Sequence, residues 1–253
     1  FAIARAVLES GKALFVEKPP CTALEQLDRL IETAKAVGNP AVTVGLQRRF
    51  SPVASLLQQE LRGAKMHSYH YRFLTGAYPE GDALTDLFIH PLDLVSFLFG
   101  EAKVRNFTQT GKSAQGEVTL FLVLEHRQVM GCLELSTAYT WKPAVETLEI
   151  NTQSGIYRTN CTDALDYTEK FSTFFGLPTE KVFRRTSLTR HLIDNDGFAP
   201  TAASHSIVKQ GFFGEILDFA RRTEGKISGT SPASLENVRP TFVLIDEIRQ
   251  LMY

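Results

Sequence analysis

Gly11-Lys12-Ala13-Leu14-Phe15-Val16-Glu17-Lys18-Pro19-Pro20 is the stretch on which the fold turns. Ala13 to Val16 is a continuous apolar run, the pattern of a strand covered on both faces in a parallel sheet. Pro19-Pro20 ends it, because proline has no N–H to give to a ladder. Upstream, Ile3, Ala6, Val7 and Leu8 put apolar side chains on one face of a short helix that Gly11 closes in the left-handed conformation. Downstream, Thr22 with Glu25 three residues on reads as a capping box, and Leu24, Leu27, Leu30, Ile31 and Ala34 form the buried stripe of a helix that Gly38 stops. Ala41 to Val44 is a second apolar strand. Helix, strand, helix, strand is one βαβ unit of a parallel sheet with the tail of another before it.

The texture then changes. Ser51-Pro52 opens a helix over Val53 to Leu61, and beyond Gly63 the apolar period becomes mainly two. Lys65–Phe73, Val104–Thr110, Val118–Glu125, Val129–Thr137 and Glu146–Thr152 read as strands, with turns at Gly111, Gly116, His126-Arg127-Gln128 and Ser154-Gly155. Helical segments are expected over Ala83–Phe99, Gly211–Arg222 and Ser234–Tyr253. The fold class is α/β plus α+β: a parallel sheet followed by a mostly antiparallel open sheet with flanking helices. Lys181 to His191 carries four Lys or Arg residues but lacks the stacking aromatics of a nucleic-acid platform, and reads as a solvated loop.

Composition removes several function classes. Of 253 residues, 27 are Lys or Arg and 28 Asp or Glu, so no basic field exists to hold nucleic acid or an anionic membrane surface. No apolar stretch approaches the roughly 18 residues that a spanning helix needs. Cys21, Cys132 and Cys161 are three, widely spaced and without a CxxC pair, which suggests neither a disulfide framework nor a zinc knuckle and fits a soluble protein of the cytoplasm. His67 and His70 fall on opposite faces of their strand, so no metal site is assigned. No GxGxxG, GxxxxGK[ST], GxSxG or HExxH occurs. The chain opens on Phe1, inside a helical pattern, and reads as a fragment of something longer.

Three places could carry chemistry. Glu17-Lys18-Pro19 interrupts the apolar run at a strand end, where ligands of open α/β sheets sit; alone, it also fits a lysine bending into solvent. Asp86, His90 and Asp93, spaced i, i+4 and i+7 in an apolar segment, share a helical face, although Pro91 must distort or restart the helix. A carboxylate one turn before an imidazole can orient it and favour its protonated form, as a general acid/base requires; a structural Asp–His bond fits the same spacing. Arg48 or Arg49, after the second strand, could meet an anionic ligand at the same sheet edge or form an ion pair.

In this order, Gly11 to Pro19, then Val44-Gly45 with Arg49-Phe50-Ser51-Pro52, then Asp86-x-x-x-His90-x-x-Asp93, the sequence resembles the Gfo/Idh/MocA family of NAD(P)-dependent oxidoreductases. Arg48-Arg49-Phe50 and Gln210-Gly211-Phe212 resemble most the group named for the virulence factor MviM. The resemblance implies that residues 1–62 are the C-terminal portion of a Rossmann domain and 63–253 an α+β domain for substrate binding and oligomerisation. It implies catalytic roles for Lys18, Asp86 and His90: His90 takes the proton of a substrate hydroxyl, Lys18 polarises the oxygen and Asp86 holds the imidazole. Glu17, Lys18, Pro19 and Arg49 would line NAD or NADP, and Lys18, His90 and Asp93 the substrate, a sugar, polyol or related hydroxy compound. The loops Thr75–Gly81 and Thr159–Thr168 would complete that pocket. The implied partners are this small molecule and further copies of the chain, meeting through the sheet. Gly81-Asp82 stands where the family often has two glycines, and the glycine-rich cofactor turn is not in this sequence. The alternative is a non-catalytic binding or assembly module that keeps the fold. Because a helix N-terminus with its glycine turn supplies much of the grip on a pyrophosphate, this chain alone is expected to bind NAD(P) weakly or not at all; micromolar affinity in calorimetry with NADH would overturn that expectation.

Overall fold

The computed structural model describes residues 1–78, 81–110, 117–171, 173–183, 188–194 and 205–252. The turns expected at Gly111 and Gly116 lie outside these residues. The chain begins α1 (Ala2–Glu9), β1 (Leu14–Glu17), α2 (Leu24–Ala36), β2 (Val42–Gly45). β1 and β2 pair in parallel, from Leu14 opposite Val42 to Glu17 opposite Gly45, as the βαβ reading requires. Leu14 is buried, while Phe15 and Val16 are half-buried.

Two local expectations change. Ile3 is 82% exposed and Ala6 is exposed, because α1 rests mainly on α2 and β1, and the row Ala4–Leu8 covers that contact. Thr22 does not cap α2. Ala23 takes the N-cap position, and the main-chain N–H and hydroxyl of Thr22 reach Gln26 Oε1 at 3.1 and 3.3 Å; moving the start by one residue hands the role expected of Glu25 to Gln26.

After β2 comes a tight 3₁₀ turn, Gln47–Phe50, and then α3 (Pro52–Glu60). Ser51 caps α3 by accepting the Ala54 N–H at 3.1 Å, with Pro52 in the first-turn position where a missing donor costs nothing. β3 (Met66–Leu74) leads to a π-type turn, Leu84–Phe88, that runs directly into α4 (Ile89–Phe99). Pro91 therefore sits just past the junction of the π-type turn and α4, and it has no N–H to give to a carbonyl of that turn.

β4 (Ala102–Thr110), β5 (Thr119–His126), β6 (Met130–Ser136), β7 (Val145–Thr152), β8 (Gly155–Asn160), β9 (Ala164–Glu169) and β12 (Thr189–Ile193) join β3 in an eight-stranded sheet. Its order is β12-β9-β8-β7-β3-β6-β5-β4, antiparallel throughout except for the β3–β6 pair. Thr159–Thr168, expected as a pocket loop, is mostly the β8–β9 hairpin. β10 (Thr173–Phe174) and β11 (Leu177–Pro178) form a small hairpin. Of the expected loop Lys181–His191, Lys181 ends in the short helix α5 (Thr179–Phe183) and 189–191 belong to β12, while positions 184–187 lie outside the described residues.

α6 (Ser206–Lys209), α7 (Phe212–Thr223) and α8 (Leu235–Leu251) bring the chain back to its beginning. α8 packs on α2 and β2 as well as on α4 and β4, and the Val44 N–H donates to Ala233 O at 2.8 Å. The buried apolar side chains form one cluster from Ala4 to Ile248. No helix among the described residues is long and apolar enough to cross a membrane.

A buried ion pair fixes this closure. Arg49 donates to both carboxylate oxygens of Asp93, from Nε at 2.8 Å and Nη2 at 2.6 Å, and its Nη1 donates to the carbonyls of Pro232 (2.7 Å) and Asn237 (3.1 Å). Thr241 Oγ1 donates to Asp93 Oδ1 at 2.8 Å. Removing one partner leaves the other charge buried and unpaired, which typically costs about 3–5 kcal/mol. Asp93→Asn should lower the unfolding free energy by an amount of that order in urea denaturation, and a loss under 1 kcal/mol would refute the role.

Candidate active site

Lys18 stands one residue past the carboxyl end of β1, preceding a cis peptide bond to Pro19. Its Nζ crosses to the π-type turn and donates to the main-chain carbonyl of Asp86 at 2.5 Å. Burial pushes the Lys18 pKa down; Asp86 and Glu17 oppose that, and Arg48 adds to it. Glu17 itself is exposed beside Gly45. It still reaches the interior electrically: Glu215, buried in the first turns of α7, has its carboxyl pushed up to about 8, by burial first and then by Glu17.

His90 follows Ile89 into α4. Its pKa is pulled well below the usual imidazole range, by burial first and then by the positive charges of Arg48 and Lys18, so the ring is neutral at neutral pH. Nδ1 is enclosed and has no hydrogen-bond partner among the described residues. A buried polar atom left in this way costs about 1–3 kcal/mol.

The expectation that Asp86 holds the imidazole and favours its protonated form is overturned. The Asp86 carboxylate turns back and accepts the Asp82 N–H at 2.8 Å, and a π-type turn does not stack residues four apart as an α-helix does. Gly81, with φ +110°, lies so close that a Cβ there would meet Asp86 Oδ2 at 2.1 Å, so the departure from two glycines leaves one where it is needed. Asp82 caps the turn: its carboxylate accepts from Leu84 N–H at 3.2 Å, Thr85 Oγ1 at 3.1 Å and Arg249 Nη2, at the end of α8, at 2.9 Å.

Two further expected site residues are elsewhere. Arg49, placed beside the cofactor by the sequence reading, and Asp93, placed beside the substrate, spend their charges on each other in the core. The residue that the sequence left ambiguous is Arg48. In a 3₁₀ turn, neighbouring side chains point about 120° apart. Arg48 therefore faces away from Arg49, over the Phe73 ring at 5.4 Å, with Nη1 2.6 Å from Glu146 Oε1 in an ion pair rather than an aligned hydrogen bond. Tyr71 donates to the same carboxylate oxygen at 2.7 Å. Lys18, Arg48, His90 and the Asp86 carbonyl thus form one cluster at the carboxyl end of the parallel pair. The arrangement offers a neutral imidazole able to take a proton and an ammonium able to stabilise charge growing on an oxygen. No group of three His, Cys, Asp or Glu among the described residues could hold a metal ion.

Residues 1–46 match a family model described as "Oxidoreductase family, NAD-binding Rossmann fold". A segment of 101 residues is 38% identical to inositol 2-dehydrogenase of Acidothermus cellulolyticus, covering 37% of this chain and 30% of that protein. The chain thus spans less than half the length of the curated relatives it matches. The structure superposes on a dehydrogenase from Chromobacterium violaceum with a TM-score of 0.79 at 15% identity, over 99% of this chain and 72% of that one. An inositol dehydrogenase homologue from Azotobacter vinelandii, solved with NADH and myo-inositol, gives 0.70 at 16% identity, over 97% and 71%.

If Arg48 holds the imidazole neutral, Arg48→Met should raise the His90 pKa toward its ordinary value in an NMR titration, and Arg48→Lys should leave it low. An unchanged His90 pKa in the Met variant would exclude the electrostatic role.

Proposed function

We propose that the chain is the catalytic portion of an NAD(P)-dependent dehydrogenase of the Gfo/Idh/MocA oxidoreductase family, acting on a cyclitol, sugar or related polyol. The observation that carries this reading is the neutral His90 ring, with an orphaned buried nitrogen, set beside two cations. A binding or assembly module would gain nothing from that cost, whereas the ring as a whole is only half-buried and so remains open to a substrate hydroxyl away from the enclosed nitrogen. The names of the inositol dehydrogenases in the comparison support a polyol with adjacent ring hydroxyls.

The residues fit a nicotinamide reaction at the crevice that open α/β sheets present beyond their strand ends. Lys18 and Pro19 would line the bound dinucleotide, with Glu17 at its margin. When bound, NAD(P)⁺ supplies an acceptor for the hydride that leaves the substrate carbon with its electron pair. His90 takes the hydroxyl proton, the carbon–oxygen bond becomes a carbonyl, and Lys18 donates to that oxygen as negative charge grows on it. Burial, with the charges of Arg48 and Lys18 adding to it, keeps His90 unprotonated between turnovers. Asp86 acts through its backbone, anchoring Lys18. Residues 1–62 form the cofactor side in this reading and 63–253 the substrate side. The outward face of the large sheet, with Phe121 and Met130 half-exposed, would meet a second copy.

The test is kinetic, on the full-length protein with myo-inositol and both cofactors. General acid/base catalysis is typically worth about 10²–10⁴ in rate, so His90→Ala should cut kcat/KM by at least 10². Because the acting form of His90 is the neutral ring, whose pKa lies below the usual value, kcat/KM should not fall on its account between pH 8 and the ordinary imidazole range near 6.5. Loss of Lys18 protonation should end activity on the alkaline side below the ordinary lysine range near 10.4. Unchanged kcat in His90→Ala would remove it from the mechanism.

A further inference from the structure

We propose that Trp141 and Tyr78 form a stacking platform for the ring of the substrate, which makes this a site for cyclic rather than open-chain polyols. The inference rests on the dehydrogenase reading for the identity of the site, and on separate observations for the platform. Trp141 and Tyr78 are 48% and 53% exposed, yet their rings lie together, centroids 4.8 Å apart and tilted at 44°. Tyr139, 49% exposed, precedes Trp141 by two residues. Large aromatic surface left in water in one place, rather than scattered singly, needs an occupant.

The platform is built and held. Gly76 lies directly beneath the indole: a Cβ there would meet Trp141 Nε1 at 2.5 Å and Cδ1 at 2.6 Å, so the close approach requires glycine. The Tyr139 N–H donates to Thr75 O at 3.1 Å and the Thr75 N–H to Ser136 O at 2.9 Å, which fixes both loops to the ends of β3 and β6. The Lys142 N–H donates to Thr140 Oγ1 at 3.3 Å, bracing the turn on either side of the indole.

Its place in the fold links it to the reaction centre. Both stretches that carry the pair lead to Arg48: Phe73, three residues before Gly76, lies under the guanidinium, and Glu146, five residues after Trp141, is its ion-pair partner. Phe73 also packs edge-on against Phe88 of the π-type turn, two residues before His90. Tyr78 stands on the segment that leads from β3 to Asp82, the cap of that turn. A cyclic polyol has a flat face of C–H groups and a rim of hydroxyls. The aromatic rings would take the face while Lys18 and His90 take one rim hydroxyl. An open-chain polyol has no such face.

Trp141 is the single tryptophan of this sequence, and the emission difference between the full-length protein and its Trp141→Phe variant reports the platform without turnover. Titration of the full-length protein with myo-inositol or glucose should change the emission saturably, both in the native sequence and in His90→Ala, and sorbitol should not. Gly76→Ala, which displaces the indole, should weaken the response at least tenfold in apparent Kd. Trp141→Ala should raise KM for the cyclic substrate at least tenfold with kcat within about threefold, and Trp141→Phe should restore KM. No emission change with either cyclic compound, or an equal change with sorbitol, overturns the proposal. A saturable change in a protein without dehydrogenase activity leaves the platform standing and removes the reaction.

Discussion

The bidentate pair between Arg49 and Asp93 is the constraint on which the arrangement depends. It joins the turn after β2 to the middle of α4, and through Thr241 and the carbonyls of Pro232 and Asn237 it ties both to the last helix and its approach. Two buried charges are tolerated there because every lone pair and donor that matters is used, which is the condition under which such a pair holds a geometry without a large penalty. The consequences fall on neighbours. With Arg49 fixed, Arg48 can point only the other way, toward Glu146, and with Asp93 fixed, His90 is set three residues earlier on the same helix.

Electrostatics then shape the proposed reaction centre by exclusion of one protonation state rather than by recruitment of a carboxylate. Burial and two nearby cations keep the His90 ring neutral. Glu146 balances Arg48, with the Tyr71 hydroxyl donating to the same oxygen. A base that is already deprotonated, next to an ammonium whose own proton is held less tightly than usual, suits transfer of a hydroxyl proton at neutral pH. Glu17 shows how far such effects reach, since its charge helps hold Glu215 in the protonated form.

Much of the fold was legible in residues 1–62 because the apolar runs there are short, continuous and bounded by glycine and proline. β3 to β7 were legible for the related reason that one face of each is wet, which leaves a period of two. β8, β9 and β12 were not: they are only 6, 6 and 5 residues long, and Arg158, Asp166 and Arg190 interrupt their apolar alternation. At the candidate site, the positions of Lys18 past a strand end and His90 on a helix were legible. The role expected of Asp86 failed because an α-helical spacing was assumed across a turn of a different pitch. Arg48 and Arg49 could not be told apart from sequence, since the distinction lies with Glu146 and Asp93, far along the chain.

The clamp between Arg249 and Asp82 has a consequence for the timing of assembly. Asp82 caps the turn that positions the Lys18 anchor, and its outer partner lies 167 residues later. The Arg49 contacts to Pro232 and Asn237 span 183 and 188 residues. A ribosome delivers a chain from its beginning at about 5–20 residues per second, so the early strands and α2 emerge long before their partners exist. The candidate site therefore cannot mature alongside the elements that carry it. It is sealed only when α8 has left the exit tunnel and docked, and until then the surfaces it will cover are open to water and to chaperones.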